Sequence, residues 1–161
     1  MKMIGREEVA RRLTYERCIP IVREAMIAFS RGETQQLLRS ILPLGDGRMF
    51  GVMPGVMPGA MPGVMAGHGG FGAKLISVFP PRPGAESAYR SHQGVVILFD
   101  AATGAPICVA DAGEITAIRT AAASAVATDA LARPEAARLA LFGTGEQAAT
   151  HARAIARVRR I

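Results

Sequence analysis

The chain has 161 residues, 50% of them hydrophobic and 20% charged, a globular balance with enough apolar residues to build a core. No apolar run of about 18 residues is free of charges and prolines, so no membrane span is indicated. Met1-Lys2-Met3-Ile4-Gly5-Arg6-Glu7-Glu8 has no secretory apolar region. The net charge of +6 does not mark a nucleic-acid binder, because the arginines are scattered, aromatics are 5% and no nucleic-acid motif is present.

Thr14 to Arg31 reads as a helix, with Ile19, Val22, Met26 and Phe29 on one face, Thr14 as its cap and Gly32 as its stop. Leu37 to Leu44 and Arg48 to Met53 read as short strands around the turn Gly45-Asp46-Gly47. A four-residue repeat follows, in four copies from Val52-Met53-Pro54-Gly55 to Val64-Met65-Ala66-Gly67. Proline followed by glycine favours turns and argues against a central strand. The period of four also excludes a collagen-like chain. Met53, Met57, Met61, Met65 and His68 have the softness to ligate Cu(I). Near-identity of the units speaks for tandem duplication instead, and no metal is expected. The repeat reads as a flexible loop beside the active site.

Ala73 to Phe79 is an expected strand, ended by Pro80-Pro81-Arg82-Pro83-Gly84. Gly94 to Asp100 and Ala105 to Ala110 read as an antiparallel pair around the turn Asp100 to Gly104. Cys108 lies in the second of these strands and reads as core. It and Cys18 form neither a disulfide framework nor metal-ligand spacing, which fits a reducing, cytoplasmic setting. Glu114 to Leu131 reads as a long helix. Its alanines at 121, 122, 123, 125 and 127 leave room for another backbone or a ligand to come close.

Arg138 to Phe142 then reads as a strand, Gly143-Thr144-Gly145-Glu146-Gln147-Ala148 as a phosphate-cradling turn, and Ala149 to Ile161 as a helix. Strand, G-x-G-x-x-A and helix in that order form the dinucleotide fingerprint. Gly143 permits the tight turn, Gly145 the approach of a pyrophosphate, and Ala148 close helix–strand packing. The helix N-terminus offers free N–H groups and partial positive charge. The acidic residue that grips the ribose is expected about 20 residues further on, beyond Ile161.

Thr14-Tyr15-Glu16, Gly51-Val52-Met53-Pro54, Ala73-Lys74-Leu75-Ile76-Ser77, Ser91-His92-Gln93, Ile115-Thr116-Ala117-Ile118-Arg119-Thr120-Ala121-Ala122 and Gly143 to Ala148, in this order, resemble the ornithine cyclodeaminase/mu-crystallin family over nearly the whole chain. The resemblance implies an NAD(P)-dependent enzyme that makes or reduces imines of amino acids. It implies an α/β architecture. An α+β substrate-binding and dimerisation domain with a largely antiparallel sheet is expected over residues 1–130. The first strand, loop and helix of a Rossmann domain are expected over 131–161, with the boundary near Ala110 to Pro134.

By that resemblance Arg39 and Lys74 hold a substrate carboxylate. The chemistry agrees, since a carboxylate needs a cationic clamp. Lys74 is one of only two lysines and sits in an otherwise apolar strand, where a lysine needs a partner. The resemblance also places Ser91 and His92 at the cofactor, beside Gly143, Thr144, Gly145, Glu146 and Gln147, and Arg119, with Thr120 adjacent, at the cofactor or the substrate. His92 has a structural reading as well, since histidine serves both uses. Gly94 stands where ornithine cyclodeaminase itself has a cofactor-contacting threonine. No residue maps onto the family's catalytic aspartate.

The expected function is therefore an oxidoreductase or cyclodeaminase using NAD or NADP on an amino acid or its imine, working as a homodimer. The alternative is a catalytically inactive, truncated paralogue acting as a dimerisation module. One strand and one helix cannot bury both faces of a parallel sheet, so the segment from Arg138, in a natural chain standing alone, is expected to be poorly ordered or aggregation-prone, without saturable NAD(P)H binding.

Overall fold

The computed structural model describes residues 1–57, 70–80 and 91–161, without the side chain of Met57. Most of the repeat, including Met61, Met65 and His68, lies outside the described residues. Among them, seven strands form one sheet: β1 (Lys2–Ile4), β2 (Gln35–Gln36), β3 (Ser40–Gly45), β4 (Arg48–Met57), β5 (Gly70–Val78), β6 (His92–Asp100) and β7 (Pro106–Asp111). The order is β1-β7-β6-β5-β4-β2, with β3 also paired to β4. Every ladder is antiparallel except β1 with β7. Four helices accompany the sheet: α1 (Arg6–Arg12), α2 (Tyr15–Ser30), α3 (Ala112–Leu131) and α4 (Glu146–Ile155).

The turns follow from local chemistry. Gly45, Asp46 and Gly47 all adopt positive φ, which two glycines and an aspartate tolerate, and so fold β3 back onto β4. At the β6–β7 turn the Asp100 carboxylate accepts bonds from the Ala102 and Thr103 amides at 3.0 and 2.8 Å. Asp111 ends β7 and caps α3, its Oδ1 accepting from the Glu114 amide at 2.7 Å.

The alanines of α3 resolve in favour of backbone packing. Ala121, Ala122 and Ala125 are wholly buried in a core shared with Val9 of α1, Cys18 and Ile19 of α2, and Ala154 of α4. Small side chains let the other three helices approach α3, so this face is filled by protein. Burial also pushes the Cys18 thiol up to about 11, which makes it inert as a nucleophile at neutral pH.

Two sequence expectations are corrected. β4 runs through Pro54 and Gly55 as an interior strand. β2 pairs with β4 only as far as Gly55, and β3 begins pairing at Val52. Met53 and Pro54 therefore have no ladder partner on that side, and a missing donor there forfeits no bond on it. Second, Arg138 to Phe142 forms no strand: it has no ladder partner among the described residues, and Phe142 is 99% exposed. A strand exists through its neighbours. The helix beyond it needs no such neighbours and is folded, burying Thr150, Ala154 and Ile155.

Arg159 ties the end of the chain to α3. Its guanidinium donates to the carbonyls of Thr128, Asp129 and Ala132 at 2.9–3.1 Å and to the Asp129 carboxylate at 3.0 Å. Arg23 of α2 donates to the same carboxylate. Together these contacts hold the Asp129 carboxyl below its ordinary range, the Arg159 bond foremost. The last carbonyls of a helix lack intrahelical partners, so Arg159 caps α3. Arg159→Leu is expected to lower stability by about 2 kcal/mol, readable as a reduced urea midpoint at unchanged slope. An unshifted midpoint would remove this capping role.

No helix among the described residues is long and apolar enough to cross a membrane.

Candidate functional site

Lys74 lies near the middle of β5, opposite Met53 of β4 and Val96 of β6. Side chains alternate faces along a strand, so the neighbours of Lys74 on its own face are two residues away or directly across. Four of these are glycines: Gly72 on β5, Gly51 and Gly55 on β4, and Gly94 on β6. The glycines leave Met53, Ile76 and Val96 as the apolar side chains nearest Lys74 on that face. Above it runs α3, whose Thr116 Oγ1 lies 3.4 Å from the Lys74 Nζ.

The ammonium is crowded by like charge. Burial pushes the Lys74 pKa below its ordinary value, and Arg119 and Arg39 push it further in the same direction. Arg39 lies between β2 and β3, and Arg119 is one helical turn beyond Thr116. Residues 80 positions apart in sequence thus put three cations within electrostatic reach of one point on the sheet. Such a cluster is stabilised by an anion, and arginine and lysine together suit a carboxylate.

Gly94 is a steric necessity. A Cβ there would lie 2.0 Å from the Leu75 carbonyl oxygen and 2.8 Å from the Ile76 Cα. At Gly72 it would lie 2.2 Å from the Ile97 oxygen. In each case the obstacle is backbone and cannot rotate away. A threonine at position 94 does not fit this sheet.

Ser91 and His92 stand at the start of β6, four ladder positions from Lys74. The Ser91 hydroxyl is 2.8 Å from His92 Nδ1, and the ring is exposed. His92 is thus not a buried structural histidine. Thr120, next to Arg119 on α3, is half-buried.

The glycine-rich turn precedes α4. Gly143 has φ +103°, a conformation side chains rarely adopt. Gly145 occupies the cap position of α4, and a Cβ there would meet nothing within 4 Å. No side chain caps the helix, so its first amides face an open approach. Thr144, Glu146 and Gln147 are exposed around it. These features fit a dinucleotide pyrophosphate.

The fold therefore gathers Lys74, Arg39 and Arg119 at one place. His92 lies four ladder positions from the partner of Lys74 on β6, with Ser91 just before it, and the turn 143–147 lies at the start of α4. Sequence reasoning gave no role to Thr116. Its spacing of three residues from Arg119 was the available signal, since i and i+3 share a helix face.

The model of the ornithine cyclodeaminase/mu-crystallin family matches residues 1–161. Ketimine reductase mu-crystallin of Mus musculus is 35% identical over 137 residues, covering 83% of this chain and 41% of that protein. The Thermococcus litoralis Δ1-pyrroline-2-carboxylate reductase, solved in complex with NADH and L-proline, superposes with a TM-score of 0.86 at 27% identity, covering 99% of this chain and 47% of that one. A probable ornithine cyclodeaminase from Bordetella pertussis superposes with a TM-score of 0.81 at 29% identity, covering 99% and 45%. The chain spans less than half the length of these relatives.

Proposed function

The chain belongs to the ornithine cyclodeaminase/mu-crystallin family, and on that premise we propose that it forms the substrate-clamping part and the cofactor's pyrophosphate turn of an NAD(P)-dependent oxidoreductase acting on an amino acid or its imine. The observation that carries this reading is a half-buried Lys74 ammonium that feels the charges of both Arg119 and Arg39, on a sheet face with glycines at 51, 55, 72 and 94. Residues 1–130 supply that patch, and residues 131–161 begin the nucleotide-binding part.

Each group has a definite task. The Lys74 ammonium and the two guanidinium groups bind and orient the substrate carboxylate. Gly143 to Gln147 and the first turn of α4 hold the pyrophosphate, with Ser91, His92 and Thr120 on the cofactor side. When bound, NAD or NADP supplies the hydride acceptor or donor for the amino acid–imine interconversion. Such a clamp suits a cyclodeaminase, a ketimine reductase or an alanine dehydrogenase type alike, because each acts on an amino acid or its imine.

Two copies are expected to pair through the opposite face of the sheet. That face carries Val52 and Val56 of β4, Phe71 and Leu75 of β5, and Val95 and Phe99 of β6. Phe71 and Phe99 stack at 5.2 Å between centroids, and Val56, Phe71 and Val95 are exposed. An apolar face of this kind also supports the second reading, a dimerisation module without catalysis.

Calorimetric titration with L-proline, with sedimentation run in parallel, separates the two. The oxidoreductase reading expects saturable binding on a dimer. A dimer with no heat of binding at millimolar L-proline would favour the second reading and defeat the first.

A further inference from the structure

We propose that Thr116 is the positioning residue that holds the Lys74 ammonium in place against the repulsion of Arg39 and Arg119. The need for one follows from the surroundings. Lysine carries its charge on a flexible four-carbon stem. Around Lys74, glycines at 51, 55, 72 and 94 leave Met53, Val96 and Ile76 as its side-chain neighbours on the sheet, and none of these offers the ammonium an oxygen. The charged groups that face it, Arg119 and Arg39, are of like sign and drive the ammonium away. Left to these forces the stem would swing toward solvent.

Thr116 opposes that. Among the described residues, its Oγ1 is the hydrogen-bond partner of the Lys74 Nζ, at 3.4 Å. Its own position is fixed. α3 is anchored at its start by the Asp111 cap and along its length by Ala117, Ile118 and Ala121, all buried. A β-branched side chain in a helix has few rotamers, so the hydroxyl has little freedom. Thr116 and Arg119 share a face of α3. The helix therefore sets the spacing between one cation it carries and another it only holds. The inference rests on the carboxylate reading for what the ammonium meets, but the contact itself is independent of it.

The chain has two lysines, Lys2 and Lys74, so ¹³Cε-lysine labelling gives two side-chain signals, assigned with Lys2→Arg. Thr116→Val removes the oxygen at nearly constant shape. Thr116→Ser keeps it, and Thr116→Ala is a second variant without it should valine disturb the fold. Losing an acceptor disfavours the charged form, so the Lys74 titration is expected to move to lower pH in the valine and alanine variants and to stay in the serine variant. L-proline affinity is expected to fall about 3- to 10-fold in the valine variant and to be retained in the serine variant, as one hydrogen bond is worth.

A Lys74 titration in Thr116→Val that overlays the unsubstituted chain overturns the inference. The L-proline arm is read separately. If valine shifts Lys74 while L-proline leaves its signal unmoved in the unsubstituted chain, Thr116 keeps its role and the carboxylate reading is lost. If L-proline binds and valine changes nothing, the carboxylate reading stands and Thr116 has no such role.

Discussion

Replacing Lys74 with methionine is expected to weaken L-proline binding by roughly 10- to 100-fold, as losing a charge-assisted hydrogen bond costs about 1.5–3 kcal/mol. Methionine keeps the length of the stem and removes only the charge, so β5 and its ladders should persist. The pH dependence of binding gives an independent signature. Burial first, and then Arg119 and Arg39, hold the Lys74 pKa below 10.5. As pH rises through that lowered midpoint the ammonium deprotonates and the carboxylate loses a partner. L-proline affinity should therefore fall in a range where an ordinary lysine is still charged.

In Lys74→Arg that decline should vanish, because a guanidinium stays protonated there. The stability of the unliganded chain carries the opposite sign. The unfolded state binds the Lys74 proton more readily than the folded state, so stability rises as pH climbs from the folded midpoint toward 10.5. Calorimetry across pH on the unsubstituted chain and both variants reads all three. A methionine variant that binds L-proline with unchanged affinity would remove Lys74 from the clamp.

Gly94→Thr is expected to destabilise the chain severely, by about 3 kcal/mol, the upper end of the overpacking range. For a chain of this size that corresponds to roughly 6–12 °C in Tm. The first atom of any side chain at 94 would meet the Leu75 carbonyl oxygen at 2.0 Å, and β5 and β6 would have to separate to admit it. These strands also present Lys74 and Val96 to the site, so L-proline binding should fail along with stability. Threonine at this position therefore does not convert the chain toward ornithine cyclodeaminase itself. Thermal melting of Gly94→Thr beside Gly94→Ala checks this. Melting temperatures equal to that of the unsubstituted chain would show that β5 and β6 are not held as closely as the structure has them.

Much of the fold was legible where the signal is local. The helical period of Ile19, Val22 and Met26 marked α2, and Gly32, with φ +71°, ends it as expected. Gly45-Asp46-Gly47 and Asp100 to Gly104 located both hairpins, because positive φ and an aspartate side chain fix a turn without help from distant residues. β1 and α1 were not read. Lys2–Ile4 is three residues long and is a strand only because Lys2, Met3 and Ile4 meet Cys108, Val109 and Ala110 of β7. A run that short carries no period of its own. Pro54 misled for a related reason: its penalty depends on what lies across the ladder, and there β2 and β3 leave a gap.

The candidate site divides the same way. Lys74 stood out in the sequence as a charge in an apolar strand, and the turn Gly143 to Ala148 as a spacing of glycines. The signature residues in their order identified the family, which the match over residues 1–161 bears out. These are properties of consecutive residues, fixed by backbone sterics and by the cost of burying charge. Only the tertiary structure decided that four glycines from three strands lie around Lys74, that Arg39 and Arg119 crowd its charge, and that Thr116 is the group beside it. It also decided that the alanines of α3 receive other helices, and that Arg138 to Phe142 is no strand without neighbours. Each of these depends on strand register and helix packing between residues far apart in the chain. Those are set by which surfaces meet, and no local pattern encodes that meeting.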